Sequence, residues 1–166
     1  MDLEYLIQKK VFDADSIELQ RLLAYWRFKN FKIVFTNGCF DLVHLGHIDY
    51  LIRAADLGDI LVIGLNSNES ARRIKGEGRP IMDQKSRSSL LASFIFVDAV
   101  IIFEEDTPIE LIRTIQPDIL VKGADYKPEK IIGSDIVTEN GGEVVTLPLV
   151  EGYSTSLIEQ KIRQSS

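Results

Sequence analysis

At 166 residues, with 45% hydrophobic and 27% charged side chains, the chain has the size and make-up of one globular domain, not of a disordered, collagenous or disulfide-dense protein. Its 19 basic and 25 acidic residues leave a formal charge of −6, which excludes a broad nucleic-acid surface and requires any anion site to be local. One cysteine and two histidines exclude an internal disulfide and a closed structural zinc site, Met1-Asp2-Leu3-Glu4 does not open like an export signal, and no apolar run reaches the roughly 20 residues of a spanning helix, so no membrane partner and a cytoplasmic location are expected.

Short β-branched runs alternate with helical stretches, the pattern of α/β architecture. The reading is a single Rossmann-like domain over residues 1–166, with a mostly parallel five-stranded sheet and helices on both faces. Residues 1–30 read as an N-terminal helical segment: Asp15-Ser16-Ile17-Glu18 has the form of a capping box, and Leu19, Leu22, Leu23 and Trp26 follow at helical spacing. The five strands are expected at Phe31 to Thr36, Asp59 to Leu65, Asp98 to Phe103, Asp118 to Lys122 and Glu143 to Leu147. Between them, a helix from about Leu45 to Leu57 ends before Gly58, a plausible C′ residue. A polar helix near Asn68 to Ile74 leads into the glycine-rich loop Lys75-Gly76-Glu77-Gly78-Arg79-Pro80, and Asp83 caps a helix through Phe94. Thr107, Pro108 and Glu110 mark the start of a helix that Pro117 stops. Ser156-Leu157-Ile158-Glu159 reads as a second capping box, with Ser154 and Thr155 just outside it.

The most informative stretch, Phe35 to His47, runs off the first expected strand into a helix and holds both histidines. Residues three apart share a helix face, so His44 and His47 point together beside the unpaired N–H groups of a first turn. Dipole, free donors and imidazole N–H groups suit a polyphosphate, and Gly46 removes a side chain from its approach. The C-terminal end of a central strand is also where open α/β sheets take ligands. The alternative is one histidine capping the helix and the other packed in it. The glycine-rich dinucleotide fingerprint and the Lys-Ser/Thr phosphate loop are both absent, which removes the usual rival phosphate sites.

Charge agrees with an anionic ligand. From Ala71 to Arg87 six basic residues face only Glu77 and Asp83, a local balance of +4. Arg72, Arg73 and Lys85 fit a solvated helix face, whereas Lys75 and Arg79 stand in the glycine-rich loop. Lys122 ends a buried strand before Gly123, which permits close backbone approach; a strand-end lysine that merely reaches solvent is the alternative. Ser154, Thr155 and Ser156 serve equally as helix cap and phosphate donors. Cys39 has no evident partner for nucleophilic chemistry.

The His-x-Gly-His element after the first strand resembles that of a nucleotidyltransferase superfamily. Thr36 to Asp41, Gly64-Leu65-Asn66-Ser67, Gly78-Arg79-Pro80, Phe103 to Pro108, Val121-Lys122-Gly123-Ala124-Asp125-Tyr126 and Ser154-Thr155-Ser156 together resemble one family within it. That family is the D-glycero-D-manno-heptose 1-phosphate adenylyltransferases, including the transferase half of bifunctional heptose kinase/adenylyltransferases, and the likeness covers nearly the whole chain. Ala124 stands where the bifunctional enzymes usually carry a second glycine, and Asn68 replaces a common aspartate.

The resemblance implies a nucleotidylyl transferase fold with its catalytic core at residues 31–166. It implies AMP transfer from ATP, accompanied by Mg²⁺, to a sugar 1-phosphate, with release of pyrophosphate and formation of ADP-heptose for lipopolysaccharide, in a stand-alone homodimer. His44, His47, Lys75 and Lys122 would share the catalysis. Asn37, Gly38, Cys39, Phe40, Gly46, Lys122, Gly123, Ser154, Thr155 and Ser156 would hold the nucleotide. Asp41, Asn66 and Arg79 would lie near the sugar phosphate, together with Arg87, which matches an arginine of the family. Two alternatives stay open: cytidylyl transfer to an alcohol phosphate such as glycerol phosphate, and a nucleotide-binding module without turnover. Glycerol-phosphate cytidylyltransferases carry an arginine shortly before their final Ser-Thr-Thr, and Val150-Glu151-Gly152-Tyr153 offers none. A tRNA-ligase role is weaker still, for want of an anticodon domain and a Lys-Met-Ser-Lys-Ser loop.

Overall fold

The computed structural model describes residues 2–124 and 127–165, so the Asp125-Tyr126 end of one motif lies outside it. The strands are β1 (Val11–Asp13), β2 (Ile33–Gly38), β3 (Ile60–Asn66), β4 (Ala99–Phe103), β5 (Ile119–Gly123) and β6 (Glu143–Leu147). They form one sheet in the order β1-β4-β3-β2-β5-β6, and every pairing is parallel. The helices are α1 (Leu3–Gln8), α2 (Ile17–Phe28), α3 (Leu45–Ala55), α4 (Asn68–Lys75), α5 (Gln84–Ala92), α6 (Ile109–Ile115), α7 (Ser134–Glu139) and α8 (Thr155–Ser165). The α/β class and the helices on both faces are as read; the sheet has six strands, not five. The sixth, β1, has only three residues and shows no usable alternation. Tertiary contacts make it a strand: it pairs with β4, and the neighbouring Lys10 Nζ donates to the carbonyls of Phe94 and Val97.

Alternation along β2 assigns the two faces. Ile33 and Phe35 enter a cluster with Leu19, Leu23 and Trp26 of α2 and Leu111, Ile112 and Ile115 of α6. Val34 enters the opposite cluster, with Tyr50, Leu51 and Ala54 of α3 and Leu91 and Ala92 of α5. The aspartates before three strands have a definite task. Asp59 accepts from Lys32 N, Asp98 from Leu61 N and Asp118 from Ile33 N, so each pairs a backbone donor of the adjacent strand or its entry.

Helix starts were legible to within one residue or two. Ser16, not Asp15, caps α2 by accepting from Leu19 N, and Asp83 caps α5 by accepting from Ser86 N. Pro108, not Thr107, occupies the cap of α6. Gly58 does not adopt a left-handed conformation after α3. A Cβ there would lie 2.7 Å from the Lys32 carbonyl oxygen, so close chain approach, not a helix stop, calls for glycine. The strand order reverses between β2 and β5, because β2, β3 and β4 are laid down to one side and β5 and β6 to the other. Connections leaving the carboxyl ends of β2 and β5 therefore diverge and open a crevice.

Candidate active site

A cleft of about 500 Å³ occupies that crevice. Its floor is the end of β2 with the turn into α3, from Asn37 to Asp41, and its far side is Lys122 and Gly123 at the end of β5. Phe40 makes the turn possible by taking a left-handed conformation, φ 46°, uncommon for an aromatic residue. Its ring is buried 5.5 Å from that of His47.

His44 is the N-cap of α3 and His47 lies in its first turn, so the two imidazoles meet with centroids 3.9 Å apart and planes 32° from parallel. His47 Nδ1 accepts from the His44 backbone N–H at 3.4 Å, which assigns the proton of the neutral ring to Nε2. Burial, with His44 adding to it, pushes the His47 pKa down to about 4, and burial also lowers that of His44. Both rings are therefore uncharged donors at neutral pH. His44 Nδ1 and Asn37 Oδ1 are buried polar atoms without a hydrogen-bond partner among the described residues, and both residues line the cleft. A Cβ at Gly46 would stand 3.0 Å from the His44 ring and 3.3 Å from Tyr153 Cβ. Gly46 thus makes room for those two side chains, whose rings stack at 6.5 Å.

Three distant segments complete the lining. Lys75 ends α4 and Arg79 follows in the glycine-rich loop; Lys122 Nζ donates to the Asn37 carbonyl at 3.1 Å, tying β5 to β2. Ser154, Thr155 and Ser156 bring the N-terminus of α8 to the cleft. Ser154 Oγ accepts from Leu157 N and is the cap, so the box expected at Ser156 to Glu159 is not formed. Glu159 instead pairs with Arg79. Asp41 is 8% exposed and accepts from Arg79 Nη1 and from the N–H groups of Ile81 and Met82. Burial alone would raise its pKa, but those N–H donors and Arg79 outweigh it and hold the carboxyl below its usual range.

Two residues expected at the sugar phosphate lie outside the lining. Arg87 is fully buried, its guanidinium donating to the carbonyls of Cys39, Asn66 and Met82 and to Asn68 Oδ1. Asn66 is 3% exposed and donates to Ser70 Oγ. Both sit behind the β2–α3 turn and brace it, because their polar groups are spent on protein partners. Cys39 lines the cleft with its thiol pKa raised by burial against the opposing charges of Lys75 and Arg87, which leaves it protonated and unreactive. The sequence reading passed over Tyr50, Leu149, Val150 and Tyr153, an apolar and aromatic share of the lining. Such residues beside a helix-capping Ser-Thr-Ser carry no chemistry of their own and signal a site only once the cleft is known.

Among the described residues no helix is long and apolar enough to cross a membrane, and no three His, Cys, Asp or Glu side chains converge as metal ligands. Asp41, the one carboxylate in the described lining, has both oxygens engaged. The donors that remain are imidazoles, lysines, hydroxyls and two helix N-termini, a set matched to phosphate oxygens.

A family model described as cytidylyltransferase-like matches residues 35–161. The bifunctional protein HldE of Campylobacter jejuni subsp. jejuni serotype O:2 is 54% identical over 152 residues, 92% of this chain and 32% of that protein. The bifunctional protein HldE of Wolinella succinogenes is 48% identical over 158 residues, 95% of this chain and 32% of that protein. The chain thus spans about a third of the length of these curated relatives. The crystal structure of a lipopolysaccharide core biosynthesis protein from Thermoplasma volcanium GSS1 superposes with a TM-score of 0.59 at 29% identity, covering 75% of this chain and 99% of that one.

Proposed function

The chain belongs to the cytidylyltransferase-like family, and on that premise we propose that it is an adenylyltransferase joining AMP from ATP to D-glycero-D-manno-heptose 1-phosphate, giving ADP-heptose and pyrophosphate. The observation that carries this reading is the convergence of the paired imidazoles of His44 and His47, Lys122 of β5 and the hydroxyl-bearing start of α8 on one cleft at the switch point of the sheet. The motifs that resemble those of heptose 1-phosphate adenylyltransferases support a heptose phosphate as the acceptor, and the likeness to a lipopolysaccharide core biosynthesis protein is in keeping with it.

The acceptor's phosphate oxygen attacks the α-phosphorus of ATP, a P–O bond forms, and the bond to the β-phosphate breaks with pyrophosphate leaving. The attacking oxygen is already anionic, so no general base is required. Neutral His44 and His47 donate hydrogen bonds to phosphate oxygens, Lys75 and Lys122 offset charge building on the α-phosphate and the leaving group, and Ser154, Thr155 and Ser156 hold the outer phosphates. The apolar wall of Leu149, Val150 and Tyr153 takes the nucleoside. Arg79 holds the acceptor's phosphate, with Asp41 fixing its guanidinium. Mg²⁺ would accompany ATP and supply positive charge to offset that of the phosphates; among the described lining residues the one carboxylate, Asp41, already has both oxygens engaged. The whole chain acts as one catalytic unit in a cytoplasmic homodimer.

Incubation with ATP or CTP and a panel of sugar 1-phosphates, read by pyrophosphate release, tests the reading. ADP-heptose from ATP and heptose 1-phosphate is expected, and His47→Ala should lower kcat about a hundredfold or more while the melting temperature stays within a few degrees. Preferred use of CTP with glycerol phosphate, or tight nucleotide binding with no turnover, would replace it.

A further inference from the structure

Arg79 is held by two carboxylates, Asp41 of the cleft lining and, from outside that lining, Glu159 of α8. Nη1 donates to Asp41 Oδ2 at 2.9 Å and Nη2 to Glu159 Oε1, with the three side chains only 25%, 9% and 20% exposed. One guanidinium facing two carboxylates carries a net −1, the wrong sign for a wall that receives phosphate. The two carboxylates are not held alike. Asp41 also accepts from two backbone N–H groups, and pulling it away would leave those donors unpaired. Glu159 has, among the described residues, Arg79 alone as a donor, and it rides on α8, a helix with no buried residue. On the other side, Gly76 and Gly78 lie at positive φ with open space around them, so the loop that carries Arg79 has little packing to resist adjustment.

We propose that Glu159 competes with an incoming substrate phosphate for Arg79: the phosphate takes over the guanidinium from Glu159 while Asp41 stays in place. Arg79 then faces one fixed carboxylate and one substrate anion, and the start of α8 is freed to settle on its ligand. Glu159 thereby sets the affinity for the phosphorylated substrate at this corner of the cleft. The proposal rests on the reading that the cleft takes ATP and a sugar phosphate.

Glu159→Gln keeps the shape and removes the charge, and Glu159→Ala serves as a second variant should the first disturb α8. Isothermal titration calorimetry with three probes, inorganic phosphate, Mg-ATP and heptose 1-phosphate, is run on both variants in the parent and the Arg79→Ala background. Binding of at least one probe should tighten about three- to tenfold, and the gain should vanish without Arg79. The probe that gains identifies whose phosphate Arg79 receives. Unchanged or weaker binding of all three probes overturns the proposal, as does a gain that persists in the Arg79→Ala background. A gain for inorganic phosphate in a protein that makes no ADP-heptose would sustain the competition and sink the assigned reaction, whereas turnover with unaltered affinities would do the reverse.

Discussion

His47 is an imidazole in a polyphosphate-sized cleft that does not carry a charge of its own. Burial and the ring of His44 hold its pKa near 4, below the ordinary 6.5. The unfolded chain therefore takes up this proton first as pH falls. Folding stability from this group is complete above about pH 6.5, declines between 6.5 and 4, and levels off below, with His44 shifted in the same direction. Asp41, held below its usual range, loses its contribution only under about pH 3.8, outside that window. Asp98, raised by burial, acts in the opposite sense but is left intact by a change at residue 47. In melting curves between about pH 4 and pH 8 the parent should lose stability relative to His47→Gln as pH falls from 6.5 towards 4, the variant showing the flatter profile. Equal slopes would mean that the ring is not protected from protonation. Arg87 gives the converse case, a charged side chain whose work is internal. Replacing it by Met strands the carbonyls of Cys39, Asn66 and Met82 behind the turn. A loss of about 3 kcal/mol in urea unfolding is expected. A variant of unaltered stability with a raised KM for the sugar phosphate would return Arg87 to the substrate.

No residue of helix α8 is buried, yet its first turn lines the cleft. Its amides should exchange with deuterium much faster than those of α3, which buries Gly46, Tyr50, Leu51 and Ala54, and ATP with Mg²⁺ should slow exchange over residues 155–160 selectively. Equal protection of the two helices without nucleotide, or protection by ATP confined to other segments, would contradict that picture. The same contrast separates what could be read in the chain from what could not. The strands from β2 to β6 and the facing histidines of α3 follow from local period and spacing, and three residues along a helix meet whatever the rest of the protein does. Pairs such as Arg79 and Glu159, 80 positions apart, have no local period to announce them. The short β1 exists only because β4 offers an edge, and the apolar wall at Leu149 and Tyr153 exists because β6 and α8 bring it to the cleft. The match to an arginine of the family places Arg87 near the sugar phosphate, and such a match does not say whether the guanidinium faces substrate or the buried carbonyls it meets here.

The molecule as a whole carries −6 and its proposed substrates are anions, so long-range repulsion opposes their approach. Lys75 and Lys122 line a recessed cleft between low-dielectric walls, which focuses their field, whereas most of the acidic residues lie outside the lining. These two contributions have different reach. The diffuse negative charge acts at long range at low salt, where the Debye length is about 30 Å, and is screened first, while the cleft lysines act at contact and persist. Salt should therefore change kcat/KM for Mg-ATP in two phases. From about 0.01 to 0.05 M NaCl the ratio should hold or rise slightly as the overall repulsion is screened, and from about 0.05 to 0.3 M it should fall roughly threefold or more through KM, with kcat nearly constant. In a Lys75→Gln variant the second phase should become shallower while the first is unchanged. A profile that falls steadily from the lowest salt in both proteins would show that the field at the cleft mouth is positive despite the net charge, and that the chain's overall balance does not govern encounter.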